Sequence, residues 1–233
     1  MTSELIVRGS SQMVTVSVPP EFSVSLPEED TPYAMWLRGE LDDYLHLPEL
    51  FYTEIINGEI VVSRAPAHGH NQIIEAIGLP FRGRLFNDPS FPWRCVQGTG
   101  LNMVGIEQGL LPDLMIMDAR FYQEASREHM LVSDQIEMVV EVTSPSNAGN
   151  DRRPVKANAK RNKWRGYAQV GVPYYLVVDR DPRIGSVVLY SIPDSSTGSY
   201  LEEESWKFGE TIRLPEHFDV VVPTDEWIPW DFA

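Results

Sequence analysis

The sequence predicts an α/β domain of the α+β kind, a mixed β-sheet flanked by helices. Three observations carry this. Candidate elements run in the order helix, several strands, helix and strand, which suits a mixed sheet with helices packed on it. Phe51–Ile56 and Glu59–Val62 are β-rich runs joined by Asn57-Gly58, the strongest short-range hairpin signal. Leu114–Met117 and Ile136–Thr143 are short apolar runs bounded by Pro112-Asp113 and Ser144-Pro145, a pattern of buried strands. The 233 residues are 42% hydrophobic and 10% aromatic, enough to bury a core and too apolar for disorder.

Residues 1–30 read as an arm, rich in Ser, Val, Pro and Glu and broken by Pro19-Pro20. Residues 31–233 read as one domain whose last strands form a C-terminal extension. A short helix is expected over Met35–Leu45, where apolar side chains recur at helical spacing. After the hairpin, Ala65–Gly69 is a loop and His70–Leu85 a helix with a possible break at Pro80. Strands follow at Arg94–Gln97, Leu101–Val104, Leu114–Met117 and Ile136–Thr143. A basic helix then runs to about Val170 and stops at Gly171-Val172-Pro173. Tyr174–Val178 and Val187–Ser191 are strands, Asp194–Gly198 a turn, and Leu201–Phe208, Thr211–Leu214 and Phe218–Val222 close the chain.

Other features narrow the class. The single Cys95 excludes an internal disulfide and fits a reducing compartment. No apolar stretch approaches the ~20 residues that span a bilayer, and no basic-then-apolar start marks a secretory signal, so the expected location is cytoplasmic, with no membrane partner. The net charge of −15 opposes long-range attraction to nucleic acid, whose affinity rests on phosphate neutralisation. The charge is uneven, however. Arg152, Arg153, Lys156, Lys160, Arg161, Lys163 and Arg165 face only Asp151 between residues 151 and 167, which makes that segment +6 and the remainder −21. The segment is either one basic face on an acidic body or an ordinary solvated helix face.

Glu141 is the most informative residue. It lies inside Ile136-Glu137-Met138-Val139-Val140-Glu141-Val142, where an unpaired carboxylate would cost several kcal/mol. A buried acid must be paired, bind a metal or change its pKa. Asp113 opens the neighbouring apolar run. Two strand-borne carboxylates with water and phosphate oxygens would satisfy Mg²⁺, and Mn²⁺ is a possible substitute. A metal so held activates water and offsets charge on a leaving oxygen, the need of phosphodiester hydrolysis, and a lysine nearby would stabilise the transition state. The competing readings are a turn aspartate at 113, a buried ion pair at 141 and a surface lysine at 163.

At these positions the chain resembles a known family. The residues are Pro112-Asp113, Val140-Glu141-Val142-Thr143-Ser144-Pro145-Ser146, Asn150-Asp151-Arg152, Lys163 four before Tyr167, and Gly171-Val172-Pro173-Tyr174-Tyr175-Leu176-Val177-Val178-Asp179. With Glu54-Ile55-Ile56-Asn57-Gly58-Glu59 and the Ala65-Pro66 loop before His70, they resemble the Uma-two family over roughly residues 35–225. Those are bacterial proteins described as restriction endonucleases of the PD-(D/E)XK superfamily. The resemblance implies a restriction-endonuclease-like core of four mixed strands and Mg²⁺-dependent cleavage of DNA. It places catalysis at Asp113, Glu141 and Lys163, with the first two holding the metal. The chain departs from the superfamily at Thr143, where a lysine would stand. Lys163 matches the family's helix-borne lysine, with Lys156 and Lys160 as rivals. Glu54, Glu59 and Asp151 are possible supporting residues. Their bland readings are exposed hairpin acids and a helix cap.

His68 and His70 flank Gly69, but no Cys or His cluster completes a zinc set, and His70 reads as a helix-start residue. Trp164, Trp206, Trp227 and Trp230 read as core or interface rather than base-stacking platforms. The alternative to an endonuclease is a non-catalytic protein, a binding module or a homodimeric scaffold on the same fold.

Overall fold

Two β-sheets share an apolar layer, and the strand that carries Glu141 lies at the centre of one of them, beside the strand that Asp113 leads into. The computed structural model describes residues 3–8, 13–18, 30–155 and 162–231. The first sheet contains β1 (Ser3–Arg8), β2 (Met13–Val18), β3 (Phe51–Ile56), β4 (Glu59–Arg64), β6 (Gly100–Met103), β7 (Gln108–Leu110) and β9 (Met130–Val132), in the order β1-β2-β4-β3-β7-β6-β9. The second contains β5 (Trp93–Val96), β8 (Leu114–Asp118), β10 (Ile136–Val142), β11 (Tyr174–Asp179), β12 (Ser186–Asp194) and β13 (Ser199–Lys207), in the order β13-β12-β11-β10-β8-β5. A small hairpin pairs β14 (Ile212–Arg213) with β15 (Val221–Val222). The helices are α1 (Pro32–Leu37), α2 (Leu41–Tyr44), α3 (His68–Asn87), α4 (Ala119–Glu124), α5 (Ala148–Asp151) and α6 (Lys163–Gln169).

The expected hairpin forms with Asn57-Gly58 at its turn, both residues at positive φ. Residues 3–8 and 13–18 of the expected arm form strands, and β2 pairs parallel to β4. In the second sheet β10 is parallel to β11, and the other neighbouring pairs are antiparallel.

Side-chain alternation assigns the two faces. Leu114, Ile116, Met138, Val140, Val142, Leu176 and Val178 share a core with Ile73, Ile74, Ile77 and Phe81 of α3 and with Phe218 and Trp227. Met115, Met117, Val139, Tyr175 and Val177 point the other way, into a core shared with Leu101, Met103 and Leu110 of the first sheet and Trp164 and Tyr167 of α6. Glu141 has the parity of Val139, so it faces α6 and the first sheet.

Three expected helices differ from the structure. Met35–Leu45 is two short helices, because Gly39 between them takes φ +70°. The helix after the hairpin starts at His68 and continues through Pro80, held by Ile77 and Phe81 against the sheet. The basic helix is not continuous: α5 ends at Asp151, Arg152 is extended at φ −68° and ψ 153°, and Arg153 precedes Pro154, which disfavours helical backbone. A separate helix starts at Lys163, where Asn162 Oδ1 accepts from Arg165 N at 3.0 Å as an N-cap. Lys156 and Lys160 lie outside the described residues. Two of the basic residues are turned inward onto acids, Arg152 onto Asp179 and Asp181 and Lys163 onto a buried acidic cluster, while Arg153 pairs with Glu203 at the surface. Trp164 and Trp227 are core residues, and Trp206 packs against the core.

Candidate active site

Asp113 and Glu141 are brought side by side by register. Val140 pairs with Leu114 across the antiparallel β8–β10 ladder, so one further step sets Glu141 opposite Asp113, on the same face. Asp113 Oδ2 accepts from Val142 N at 2.7 Å, and its Oδ1 lies 3.0 Å from His70 Nε2 in the first turn of α3. Pro112-Asp113 is thus the crossing point where the chain leaves β7 of one sheet and enters β8 of the other.

Lys163 stands at the centre of the acids. It is 6% exposed, and its Nζ lies 2.8 Å from Glu54 Oε1, 3.1 Å from Glu141 Oε1 and 3.7 Å from Asp151 Oδ1. Helical spacing puts Tyr167 one turn after Lys163 on the same face, and its hydroxyl donates to Glu141 Oε1 at 2.7 Å. Glu54 projects from the middle of β3, 1% exposed, and its Oε1 also accepts from Leu111 N at 3.0 Å. The exposed readings of Glu54 and Lys163 are therefore corrected. Asp151 is corrected too: it does not cap the basic helix but ends α5, buried, and its backbone carbonyl accepts from Tyr175 Oη at 2.9 Å. Glu59 is buried at the turn end of the hairpin, and the ion pairs of Lys163 go to Glu54, Glu141 and Asp151 instead.

Burial and mutual repulsion set the protonation of this cluster. Burial raises Glu141 well above the usual carboxylate range; Lys163 opposes the rise and Asp113, Asp151 and Glu54 add to it. Asp151 is raised to about 7 by burial, again opposed by Lys163. Burial alone would lower Lys163, but Glu141, Glu54 and Asp151 outweigh it and hold the ammonium charged. Tyr52, two residues before Glu54 on the same strand face, is raised by burial and by Glu54.

The donor set fits a hard divalent cation. Glu54, Asp113, Glu141 and Asp151 supply carboxylate oxygens against one lysine, and Asp151 Oδ1 is buried without a hydrogen-bond partner. Among the described residues, no three His, Cys, Asp or Glu side chains form a ready-made metal cage. The reason is visible: the Lys163 ammonium sits where three of the carboxylates converge. Mg²⁺ needs only one or two carboxylates, with water completing its shell. Asp113 and Glu141 fit that requirement.

Thr143 takes no lysine's place. It is fully buried beyond the end of β10; its Oγ1 donates to Asp179 Oδ1 at 3.2 Å and accepts from Arg180 N at 3.0 Å. It ties the ends of β10 and β11 together. Tyr52, Tyr167 and His70 were missed as site residues. The i+4 spacing of Lys163 and Tyr167 and the i+2 spacing of Tyr52 and Glu54 were the available signals; nothing local predicts that His70 meets Asp113.

Mixed sheets flanked by helices, with acids at the centre of one sheet and a helix-borne lysine over them, define a restriction-endonuclease-like α+β fold. The model of the Uma2 family, described as putative restriction endonucleases, matches residues 41–224, and the chain belongs to that family. A solved structure of a putative nuclease of the DUF820 family from Anabaena variabilis shares the fold, with a TM-score of 0.55, 16% identity, and coverage of 80% of this chain and 95% of that one. No curated protein matches the chain. No described helix is long and apolar enough to cross a membrane.

Proposed function

We propose that this protein is a Mg²⁺-dependent endonuclease that hydrolyses phosphodiester bonds in DNA. The observation that carries the reading is the convergence of Glu54, Glu141 and Asp151 on a buried Lys163, with Asp113 beside Glu141. Asp113 and Glu141 would hold the cation. When bound, Mg²⁺ supplies charge to the phosphoryl oxygens and lowers the pKa of a water. His70 and Val142 N orient Asp113, and Tyr167 orients Glu141. Lys163 brings a fixed positive charge to the site, where it stabilises charge developing on the phosphate. Glu54 and Asp151 hold that lysine in place. Family membership supports a nucleic-acid substrate.

A second reading has its own observation. The Lys163 ammonium is fully engaged by acids, and Thr143 stands where the superfamily has lysine. A closed ion-pair cluster of that kind suits a non-catalytic member that binds through the fold. Incubation of the full chain with labelled single- and double-stranded DNA and RNA, with Mg²⁺ or Mn²⁺, separates the two. The nuclease reading expects metal-dependent cleavage of DNA that Asp113→Asn abolishes. Intact substrates under all conditions, with Asp113→Asn no different from wild type, favour the non-catalytic reading.

A further inference from the structure

Arg180 is a buried cation with no acid paired to it among the described residues. It follows β11 and is 8% exposed, so more than nine-tenths of it is buried. Its backbone is fixed on both sides: its N–H donates to Thr143 Oγ1 at 3.0 Å, and its carbonyl accepts from Trp230 N at 3.0 Å. The Nε donates to the Ile228 carbonyl at 3.3 Å, while the two terminal amino groups have no hydrogen-bond partner among the described residues. Neighbouring arginines behave differently. Arg152 and Arg183 both close on Asp181. The guanidinium has one backbone acceptor and no acid among the described residues, and in a chain of net charge −15 that is not a shortage of acids.

The guanidinium is aimed at a helix start. Its Nη2 lies 3.1 Å from the position a Cβ would take on Gly69, the second residue of the 20-residue helix α3. A Cβ there would press on the guanidinium, which would have to give by a few tenths of an ångström. Ala67 caps that helix without a side-chain hydrogen bond. The amides of His70 and Asn71 turn back to the Ala67 carbonyl, whereas those of His68 and Gly69 have no acceptor among the described residues. Free amides at a helix N-terminus, its positive dipole end and a bidentate donor meet at one place, the combination that recognises phosphate. A cleft of about 430 Å³ begins at Gly69, beside the guanidinium rather than lined by it, and is walled by Gln72, Ile73, Ala76, Trp227 and Ile228. Asp225 and Glu226 also line the cleft, but neither forms an ion pair with Arg180.

We infer that Arg180 and the first turn of α3 form a phosphate-binding site that holds a phosphodiester of the nucleic-acid strand beside the carboxylate cluster. The two sites share their framework. Gly69 faces Arg180 while the next residue, His70, reaches Asp113; Thr143, which holds Arg180 N, is two residues from Glu141. A phosphate held there would set the strand's position relative to Asp113 and Glu141. The inference rests on the nuclease reading for its substrate, and Arg180 acts as a positioning residue rather than a catalytic one.

Two measurements on the full-length chain test it. The first is protection against heat by inorganic phosphate, compared between wild type and Arg180→Gln. The second is binding of a short single-stranded oligonucleotide without Mg²⁺, in Glu141→Gln with and without Arg180→Gln. Phosphate should raise the melting temperature of wild type and leave Arg180→Gln unmoved. Loss of Arg180 should weaken the oligonucleotide about tenfold, the size of one charged contact. It should also reduce the slope of log K against log salt by about 0.7. Unchanged phosphate protection and unchanged affinity overturn the site. Lost phosphate protection with unchanged oligonucleotide affinity also overturns it, because the site then serves only free anions. Should Arg180→Gln not fold, Arg180→Lys keeps the charge but not the planar fork; phosphate protection and oligonucleotide affinity then decide, with the salt slope expected unchanged. Oligonucleotide binding through Arg180 without any cleavage leaves this site standing and removes the nuclease reading. Mg²⁺-dependent cleavage indifferent to Arg180 does the reverse.

Discussion

Replacing Lys163 by alanine tests the core of the site through stability alone. The substitution takes the ammonium away from Glu54 at 2.8 Å, Glu141 at 3.1 Å and Asp151 at 3.7 Å. All four groups are buried. Breaking a buried ion pair from one side costs about 3–5 kcal/mol, because a desolvated charge is left behind. A surface lysine at 163 would be lost at little cost; the buried lysine of the structure makes the loss large. The loss should also depend on pH. Lys163 is what opposes the upward shift of Glu141 and Asp151, so without it both carboxyls take up protons more readily and the repulsion is relieved. Urea unfolding in EDTA, followed by circular dichroism, should show Lys163→Ala less stable by about 3–5 kcal/mol at pH 8 and by visibly less at pH 5.5. Coincident unfolding midpoints at pH 8, or an equal loss at both pH values, would refute the reasoning.

Other expectations follow from the same cluster. Asp151 titrates near 7 folded against an ordinary 3.8, so the folded state holds the extra proton between those values. Stability of the metal-free protein should thus fall as pH rises from about 4 to about 7, by at most about 4 kcal/mol; a flat profile in EDTA would contradict this. Mg²⁺ should raise the melting temperature more at pH 8 than at pH 5.5, since it competes with protons for the carboxylates; equal shifts would argue against carboxylate binding. Tyr167→Phe removes the hydroxyl that donates to Glu141 and should cost about 1–3 kcal/mol in urea unfolding, with no change if the bond is unimportant. Asn162→Ala removes the cap at the start of α6 and should cost about 1 kcal/mol, read in the same assay.

The sequence made Asp113 and Glu141 legible because period-2 alternation and local chemistry are enough to find a charge in an apolar strand. The Asn57-Gly58 hairpin and the β10 and β11 strands were legible for the same local reasons. Glu54 was ambiguous. Its surroundings in sequence look like any hairpin, and its burial depends on Leu111 and Lys163, which are 57 and 109 residues away. Asp151 was open between a supporting residue and a helix cap, and the cap alternative fails because the break after it depends on Pro154, two positions beyond Arg152. The two-sheet arrangement was not legible either. β7 and β9 are three residues each, too short to show periodicity, and only pairing makes them strands, β7 with β3 and β6 and β9 with β6. The same limit hid Arg180. A charged residue in Asp179-Arg180-Asp181 reads as surface, and only the tertiary fold shows its acids turned to Arg152 and Arg183.

The central claim is that Glu141 belongs to a metal-dependent hydrolytic site rather than to a structural ion pair. Glu141→Gln keeps the shape and the Tyr167 contact while removing one negative charge. The most direct measurement is single-turnover cleavage of end-labelled DNA by wild type and Glu141→Gln at equal folded fraction, with Mg²⁺ varied from zero to millimolar. The account predicts cleavage by wild type that rises with Mg²⁺ and vanishes in EDTA, and none by Glu141→Gln. Cleavage by Glu141→Gln at the wild-type rate, or cleavage by wild type that ignores Mg²⁺, would contradict it.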